Sequence, residues 1–429
     1  MKIKKYTKQE TSWMFYDWAS NAYSIIITAA IFPIFYKAQA TAAGVAAADS
    51  TAYLGYTIAI FTFILAMIGP ILGTIADYEG YKKKFFTGFL VVGLASTFSL
   101  IFVPEGEWLI LLIVFTVASL GLTGSNLFYD AFLVDVTEDK RMNKVSARGF
   151  GLGYIGGAIP FVISIAIILM AQQEIIPISS TTASKIAFFI AFVWWAVFSI
   201  PMLKNVKQVH GIKRDAKPIR TSFRRLKNTI KNIRQYKYLT IFLIAYFFYI
   251  DGVGTIISMS TAYGTDVGVS ATVLLIVLFV TQIVAAPFAI LYGRLADRFN
   301  AKIMLNIGIL VYIVVCIYGY FLETAFDFWV LAMLVATSQG GIQALSRSYF
   351  AKLVPKDNAN EFFGFYNIFG KFASVTGPVL MGVTAQITGR SNAGILSLIV
   401  LFIIGMIVLN FVPSDKKIEG QQTPKVNIS

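Results

Sequence analysis

Apolar runs of roughly 20 residues, the length that crosses a bilayer core, recur along the whole of this chain. Twelve can be placed, at about 13–36, 52–76, 85–103, 108–134, 147–171, 186–203, 239–260, 271–294, 303–322, 327–350, 363–386 and 394–412. Hydrocarbon offers no partner for a backbone N–H or C=O, so each run is predicted to be a helix. Strands of a β-barrel would be about ten residues long with strict alternation, which these runs lack. Only 14% of the 429 residues are charged, against about 25% in an ordinary soluble domain. The expectation is an all-α membrane protein with twelve transmembrane helices.

A net charge of +14 would suggest nucleic acid in a soluble protein. Here the bases occupy alternate loops. Lys2, Lys4, Lys5 and Lys8 precede the first run, Lys82, Lys83 and Lys84 follow the second, and Lys140, Arg141 and Lys144 follow the fourth. Arg298 and Lys302 follow the eighth, and Lys352 and Lys356 the tenth. The opposite loops hold mostly acids. The positive-inside rule then puts both termini in the cytoplasm and makes the charge topological, with no nucleic-acid partner. Cys316, the single cysteine, lies within the ninth run and reads as packing. No cleavable signal peptide is expected, because the first run is full length and carries Asp17.

Residues 204–238 form the longest hydrophilic segment and divide the runs six and six, giving bundles over 1–203 and 239–429. Its twelve bases face one acid, Asp215, and Ile219, Phe223, Leu226, Ile230 and Ile233 fall at helical spacing. That is a basic amphipathic helix. It reads either as lying on the cytoplasmic membrane face, held partly by anionic lipid, or as a solvated helix tying the halves together. A calmodulin-type partner site is a remote third option. His210, the only histidine, reads as a surface residue.

Four of the runs carry polar side chains three and four residues apart, which places them on one helical face. They are Asp17, Asn21, Ser24 and Thr28; Ser119, Thr123, Asn126 and Asp130; Asp251, Thr255 and Ser258; and Gln339, Gln343 and Ser346. Such faces are costly in hydrocarbon unless they look onto a cavity or a partner. The striped helices are the first and fourth of each half. A parallel two-fold repeat would gather them round one axis.

The halves share a loop pattern as well. Gly73, Asp77, Gly80 and Lys82 close the second run, and Gly293, Asp297, Arg298 and Lys302 close the eighth, with Asn300 in place of the second glycine. Twelve helices, a basic middle loop and two such loops resemble the major facilitator superfamily. Tyr16-Asp17-Trp18-Ala19-Ser20-Asn21, Phe128-Tyr129-Asp130-Ala131, Ser146-Ala147-Arg148-Gly149, Tyr249-Ile250-Asp251-Gly252 and Gln339-Gly340-Gly341-Ile342-Gln343 narrow this. So does the stretch from Phe363-Gly364 to Gly370-Lys371. Together they resemble its UMF1, or Atg22-like vacuole effluxer, branch. The resemblance implies amino-acid export, and a gating role for Gly73, Asp77, Gly80, Lys82, Asp135, Arg148, Gly293, Asp297, Arg298 and Arg347. The short termini suit a bacterial plasma membrane.

The candidate substrate and proton pathway comprises Asp17, Asn21, Asn126, Tyr129, Asp130, Asp251, Gln339, Gln343, Asn367 and Lys371. An intramembrane acid can exchange a proton, bind a cationic group on the substrate, or pair with Lys371 or Arg347. Lys371, on a fifth stripe with Asn367 and Ser374, needs a counter-charge or an anionic ligand. Asp17 is near a span end and suits a gate. Gly151-Leu-Gly153-Tyr-Ile-Gly156 matches a dinucleotide fingerprint, but it sits in an apolar run without the required strand. Gly149, Gly153 and Gly157 instead mark close helix packing. No metal cluster, phosphate loop or nucleophile–base pair is visible, so neither a cofactor nor an enzyme is expected. The expectation is a monomeric secondary transporter of a small solute, working by alternating access with proton coupling through Asp130 or Asp251. The rivals are a lipid or glycolipid flippase and a non-transporting receptor or scaffold.

Overall fold

The computed structural model describes residues 6–213, 218–231, 233–266, 269 and 271–414. Among them the chain is helical apart from short connections and an isolated bridge between Tyr78 and Ile212. The first run becomes α1 (Lys8–Tyr23), a π-helical stretch (Ser24–Ala30) and α2 (Ile31–Ala42). Then come α3 (Ala47–Ala76), α4 (Tyr81–Ser99), α5 (Trp108–Ala131), the short α6 (Leu133–Val136), α7 (Asp139–Gln172) and α8 (Ser180–Asn205). The linker contributes α9 (Pro218–Lys231), with proline at its first position, where no N–H is needed. After it follow α10 (Lys237–Asp266), α11 (Ala271–Arg298), α12 (Ala301–Tyr320) and α13 (Ala325–Leu353). Last are α14 (Ala359–Thr388), α15 (Ser391–Ser397) and α16 (Ile399–Asn410).

Eleven stretches among the described residues are long and apolar enough to cross a membrane. The expected run at 363–386 lies in α14, a 30-residue helix outside that count, in which the side chains at 371–375 are not among those described. The starts of these helices follow ordinary capping chemistry. Thr7 opens α1 with a capping box: its hydroxyl accepts from the Glu10 N–H at 3.1 Å, and the Glu10 carboxylate accepts from the Thr7 N–H at 2.8 Å. The same Glu10 accepts from Arg141 at 2.9 Å and so ties α1 to the start of α7.

Helices α1, α7 and α8 pack together, as do α4 and α5. Beyond the linker α10 lies against α14 and α16, and α12 against α13. Two long contacts cross the linker: α7 runs beside α11, and α3 beside α14. Those four helices carry Pro70, Pro160, Pro287 and Pro378, one internal proline each. Proline lacks the N–H that would bond four residues back, so all four helices are weakened in their interiors. The glycine row of α7 is packing surface: a Cβ on Gly149, Gly153 or Gly157 would press on α1, and one on Gly151 on α11. At the α4–α5 crossing Gly121 lies against the Gly93 backbone. Gly121→Val is expected to cost about 1–3 kcal/mol by overpacking, read as a lower unfolding temperature in detergent.

Candidate functional site

Three of the four polar stripes meet at Arg347. This arginine leaves α13 about two turns before the helix ends and is 3% exposed. Its guanidinium donates to the Asp17 carboxylate of α1 at 3.0 Å and to the Asp130 carboxylate of α5 at 3.1 Å. It also donates to the Ser146 hydroxyl of α7 at 3.0 Å and to the Ser146 carbonyl at 3.2 Å. Its flat faces lie 4.5 Å from the Trp13 ring and 4.4 Å from the Phe150 ring. Planar, permanently charged and able to donate in several directions, arginine suits such a node better than lysine does. Trp13 is fixed in turn: it stacks on Tyr129 and donates its indole N–H to the Tyr129 carbonyl at 2.9 Å.

The same tyrosine–serine contact recurs on both sides of the linker. The Tyr16 and Ser125 hydroxyls lie 2.7 Å apart, joining α1 to α5. Those of Tyr249 and Ser346 lie 2.6 Å apart, joining α10 to α13. Each pair locks two striped helices side by side, so their polar faces stay turned towards the same interior.

Beside Arg347 lies a cavity of about 270 Å³. Its polar wall is Asp130, Arg347, Gln343 and Asn367, and its other wall is Phe150, Tyr246, Tyr366 and the apolar strip Ile250–Val253–Ile257 of α10. Gln343 and Asn367 each donate one bond to their own helix, to the Gln339 and Phe363 carbonyls at 3.1 and 3.0 Å. Asp17 touches the node from behind. Asn21 is packed against Gly153 and Gly157 of α7, and the Asn126 side-chain oxygen is buried without a hydrogen bond. Gln339 faces a smaller void between α10, α11 and α13. Asp251 is fully buried and does not line the cavity beside Arg347; its carboxylate accepts from the Gly377 N–H of α14 at 2.9 Å. Helical spacing put Asp251 on a polar face, and that face is turned to the neighbouring helix just before Pro378. The Lys371 side chain lies outside the described residues.

At the end of the molecule that carries the basic loops, the segments on either side of the linker close on one another. Gly73 of α3 lies directly against the Asn360 backbone, and Gly293 of α11 against Ala147 of α7, each too close for a side chain. Asp77 ends α3 and accepts from the Asn360 N–H at 2.9 Å and from its side-chain amide at 3.0 Å. It thereby caps α14, whose first N–H groups have no partner of their own. Burial pushes the Asp77 carboxyl up to about 7, against the opposing pull of Asn360, Arg225 and Lys82. Lys82 binds Asp135 at 2.6 Å and the Ala131 carbonyl at 3.2 Å. Burial would raise the Asp135 carboxyl, but Lys82 and His210 outweigh it and hold it below its ordinary range.

The second loop is built differently. Gly80 turns the first with φ +79°. In the second, Asn300 takes φ +144° and its side-chain oxygen caps α12 by accepting from the Ile303 N–H at 2.8 Å. Asp297 is exposed where Asp77 is buried, and the Arg298 guanidinium rests 5.4 Å from the Phe299 ring. Arg148 stacks on the Tyr6 ring at 4.7 Å.

Sequence reasoning gave no site role to Trp13, Arg225, Asn360 or Glu361, and Ser146 and Phe150 counted only as parts of a family motif. Asn360 and Glu361 had a signal in the polar start of α14. Arg225 was one base among twelve, and nothing in the spacing set it apart.

A family model described as "Vacuole effluxer Atg22 like" matches residues 6–141 and 133–422. The MFS-type transporter YxiO of Bacillus subtilis is 64% identical, over 98% of this chain and 98% of its own. Autophagy-related protein 22 of Eremothecium gossypii is 22% identical, over 89% of this chain and 81% of its own. Among solved structures, the proton:xylose symporter XylE bound to 6-bromo-6-deoxy-D-glucose matches 97% of this chain and 98% of its own, with TM-score 0.74 at 10% identity. FucP, solved in the outward conformation, matches 94% and 98%, with TM-score 0.71 at 16% identity. At these identities the structural matches carry the fold alone.

Proposed function

Since the chain belongs to the family of Atg22-like vacuole effluxers, we propose that it exports a small, amino acid-like solute by alternating access. It is a multi-pass membrane transporter of the major facilitator type, not an enzyme. Our reading has twelve crossings, counting α14, in two six-helix bundles at 1–203 and 239–429 joined by the 204–238 linker. Both termini and the closed basic end lie in the cytoplasm, so the cavity faces outward here.

The observation that carries this reading is the Arg347 node. One charged side chain from beyond the linker is bonded to two carboxylates from before it, beside a cavity of about 270 Å³. That volume is just below the range of ligand pockets, which run from about 300 Å³ upward, and suits a solute smaller than a drug. A zwitterion fits the chemistry: its carboxylate competes for Arg347, and its ammonium for Asp130. Either event, or a proton arriving on Asp130, weakens the bond between the halves and lets the basic end part. Export is the direction the family description carries, and the plasma membrane is the site we assign for a chain so close to a Bacillus protein.

Asp130→Asn tests the coupling. In proteoliposomes with an imposed pH gradient, the variant is expected to exchange solute but to lose gradient-driven accumulation. Accumulation that still follows the gradient removes Asp130 from the coupling step. No flux of any amino acid by the unaltered protein, with lipid scrambling in its place, points to the flippase reading.

A further inference from the structure

The first gate loop lacks a base of its own for Asp77. The next residue is Tyr78, and the nearest lysine, Lys82, is committed to Asp135 at 2.6 Å. The cation beside Asp77 comes from the linker. Arg225 of α9 donates to the Asp77 carboxylate at 3.3 Å, to the Glu361 carboxylate of α14 at 3.4 Å and to the Thr74 carbonyl of α3 at 3.3 Å. Its guanidinium sits 6.0 Å from the Tyr78 ring. Thr229, one turn further along α9, also bonds Glu361.

Both carboxylates are buried, and they repel one another across the α3–α14 contact. The chain leading into α9 is strapped to the same loop. Ile212 donates to the Asp77 carbonyl at 2.9 Å and its own carbonyl accepts from the Glu79 N–H at 3.1 Å. Gln208 accepts from the Lys82 N–H at 3.2 Å.

We propose that Arg225 is a positioning residue of the transport cycle: the linker helix supplies the cation that holds the cytoplasmic gate shut. Three contacts fix α9 to the α3 side and one ion pair, with Thr229, reaches α14. When the halves part, α9 therefore stays with α3 and releases Glu361. The linker is thus a latch as well as a tether, and its position is coupled to which face of the membrane the cavity serves. This deepens the alternating-access reading above and rests on it.

The test places spin labels at Lys140→Cys and Arg294→Cys, exposed positions on either side of the closed end, in full-length protein on a Cys316→Ala background. With Arg225 intact, a short distance dominates. Arg225→Gln is expected to raise the ratio of the long to the short distance roughly tenfold at neutral pH, a coupling of ordinary size. Arg225→Lys restores most of the short distance. Glu361→Gln removes the same pair from the other helix, so its effect combined with Arg225→Gln falls well short of the sum.

The pH profile separates positioning from simple support. The charged groups facing Asp77 are Arg225 from α9, Lys82 from α4 and Glu361 from α14. The Asp77 carboxyl is held at about 7 in the closed gate, above the value of about 4 that it takes in water. Protonation therefore favours closure, and that contribution is lost as pH rises from about 4 to about 7. Without Arg225 the closed-state value climbs higher, so the loss of the short distance extends above pH 7. An unchanged ratio and an unchanged profile in Arg225→Gln, or additive effects with Glu361→Gln, overturn the latch. A single distance in every variant, with or without solute, overturns alternating access itself.

Discussion

Replacing Arg347 with glutamine is expected to abolish solute movement and to lower stability by about 3–5 kcal/mol, the usual cost of removing one partner from a buried ion pair. The size follows from what is left behind. Asp17 is buried and Asp130 largely so, and the guanidinium is the group that reaches the two together. Among the described residues no second base bonds either carboxylate. Arg347→Lys keeps a charge but reaches one carboxylate at a time and cannot lie flat between Trp13 and Phe150, so partial stability with poor transport is expected. The diagnostic variant is Arg347→Gln combined with Asp17→Asn and Asp130→Asn. It removes the stranded charges along with their partner, so the unfolding temperature in detergent should recover while flux in proteoliposomes should not. Recovery of both would make the node a structural tie and nothing more. Wild-type flux in Arg347→Gln alone would remove it from the pathway.

The apolar runs and their stripes were legible because both rest on rules with one physical cause. A bilayer fixes the length of a crossing helix, and 3.6 residues per turn fixes which side chains share a face. Asp17, Asp130 and Gln343 therefore come together where the spacing said a polar interior should be. What spacing cannot give is the neighbour a face meets. Asp251 carries the same stripe signal as Asp130, yet it bonds the backbone of α14 and not the cavity. The π-helical stretch at Ser24–Ala30 has no sequence signal beyond a run of isoleucines that any apolar helix tolerates. Arg347 and Asp17 are 330 residues apart, and only the packed helices bring them into contact. The loop motifs were legible as a repeat, but their equivalence was not complete. Asp77 is buried and caps the start of α14, whereas Asp297, in the last turn of α11, is exposed.

The second large effect belongs to the glycines of that repeat. Gly73→Val and Gly293→Val are expected to shift the protein towards a form open at the basic end without unfolding it. A Cβ at Gly73 overlaps the Asn360 backbone, and one at Gly293 overlaps the Ala147 side chain, so neither contact can survive the added carbon atoms. Overpacking of this kind costs about 1–3 kcal/mol. The cost falls only on the conformer in which the two ends touch, because a parted gate has room for the side chain. Each 1.4 kcal/mol is about tenfold in the ratio of conformers, so either variant should move that ratio by one to two orders of magnitude. Combining both should move it further, since the α3–α14 and α7–α11 contacts share no residue. Gly88→Val is the control: it lies on α4, where a Cβ would meet nothing within 4 Å. Distances between labels across the basic end, together with solute exchange rates, read the result. A Gly73 variant indistinguishable from the Gly88 control would mean that the close approach of α3 and α14 is not the barrier that keeps the basic end shut.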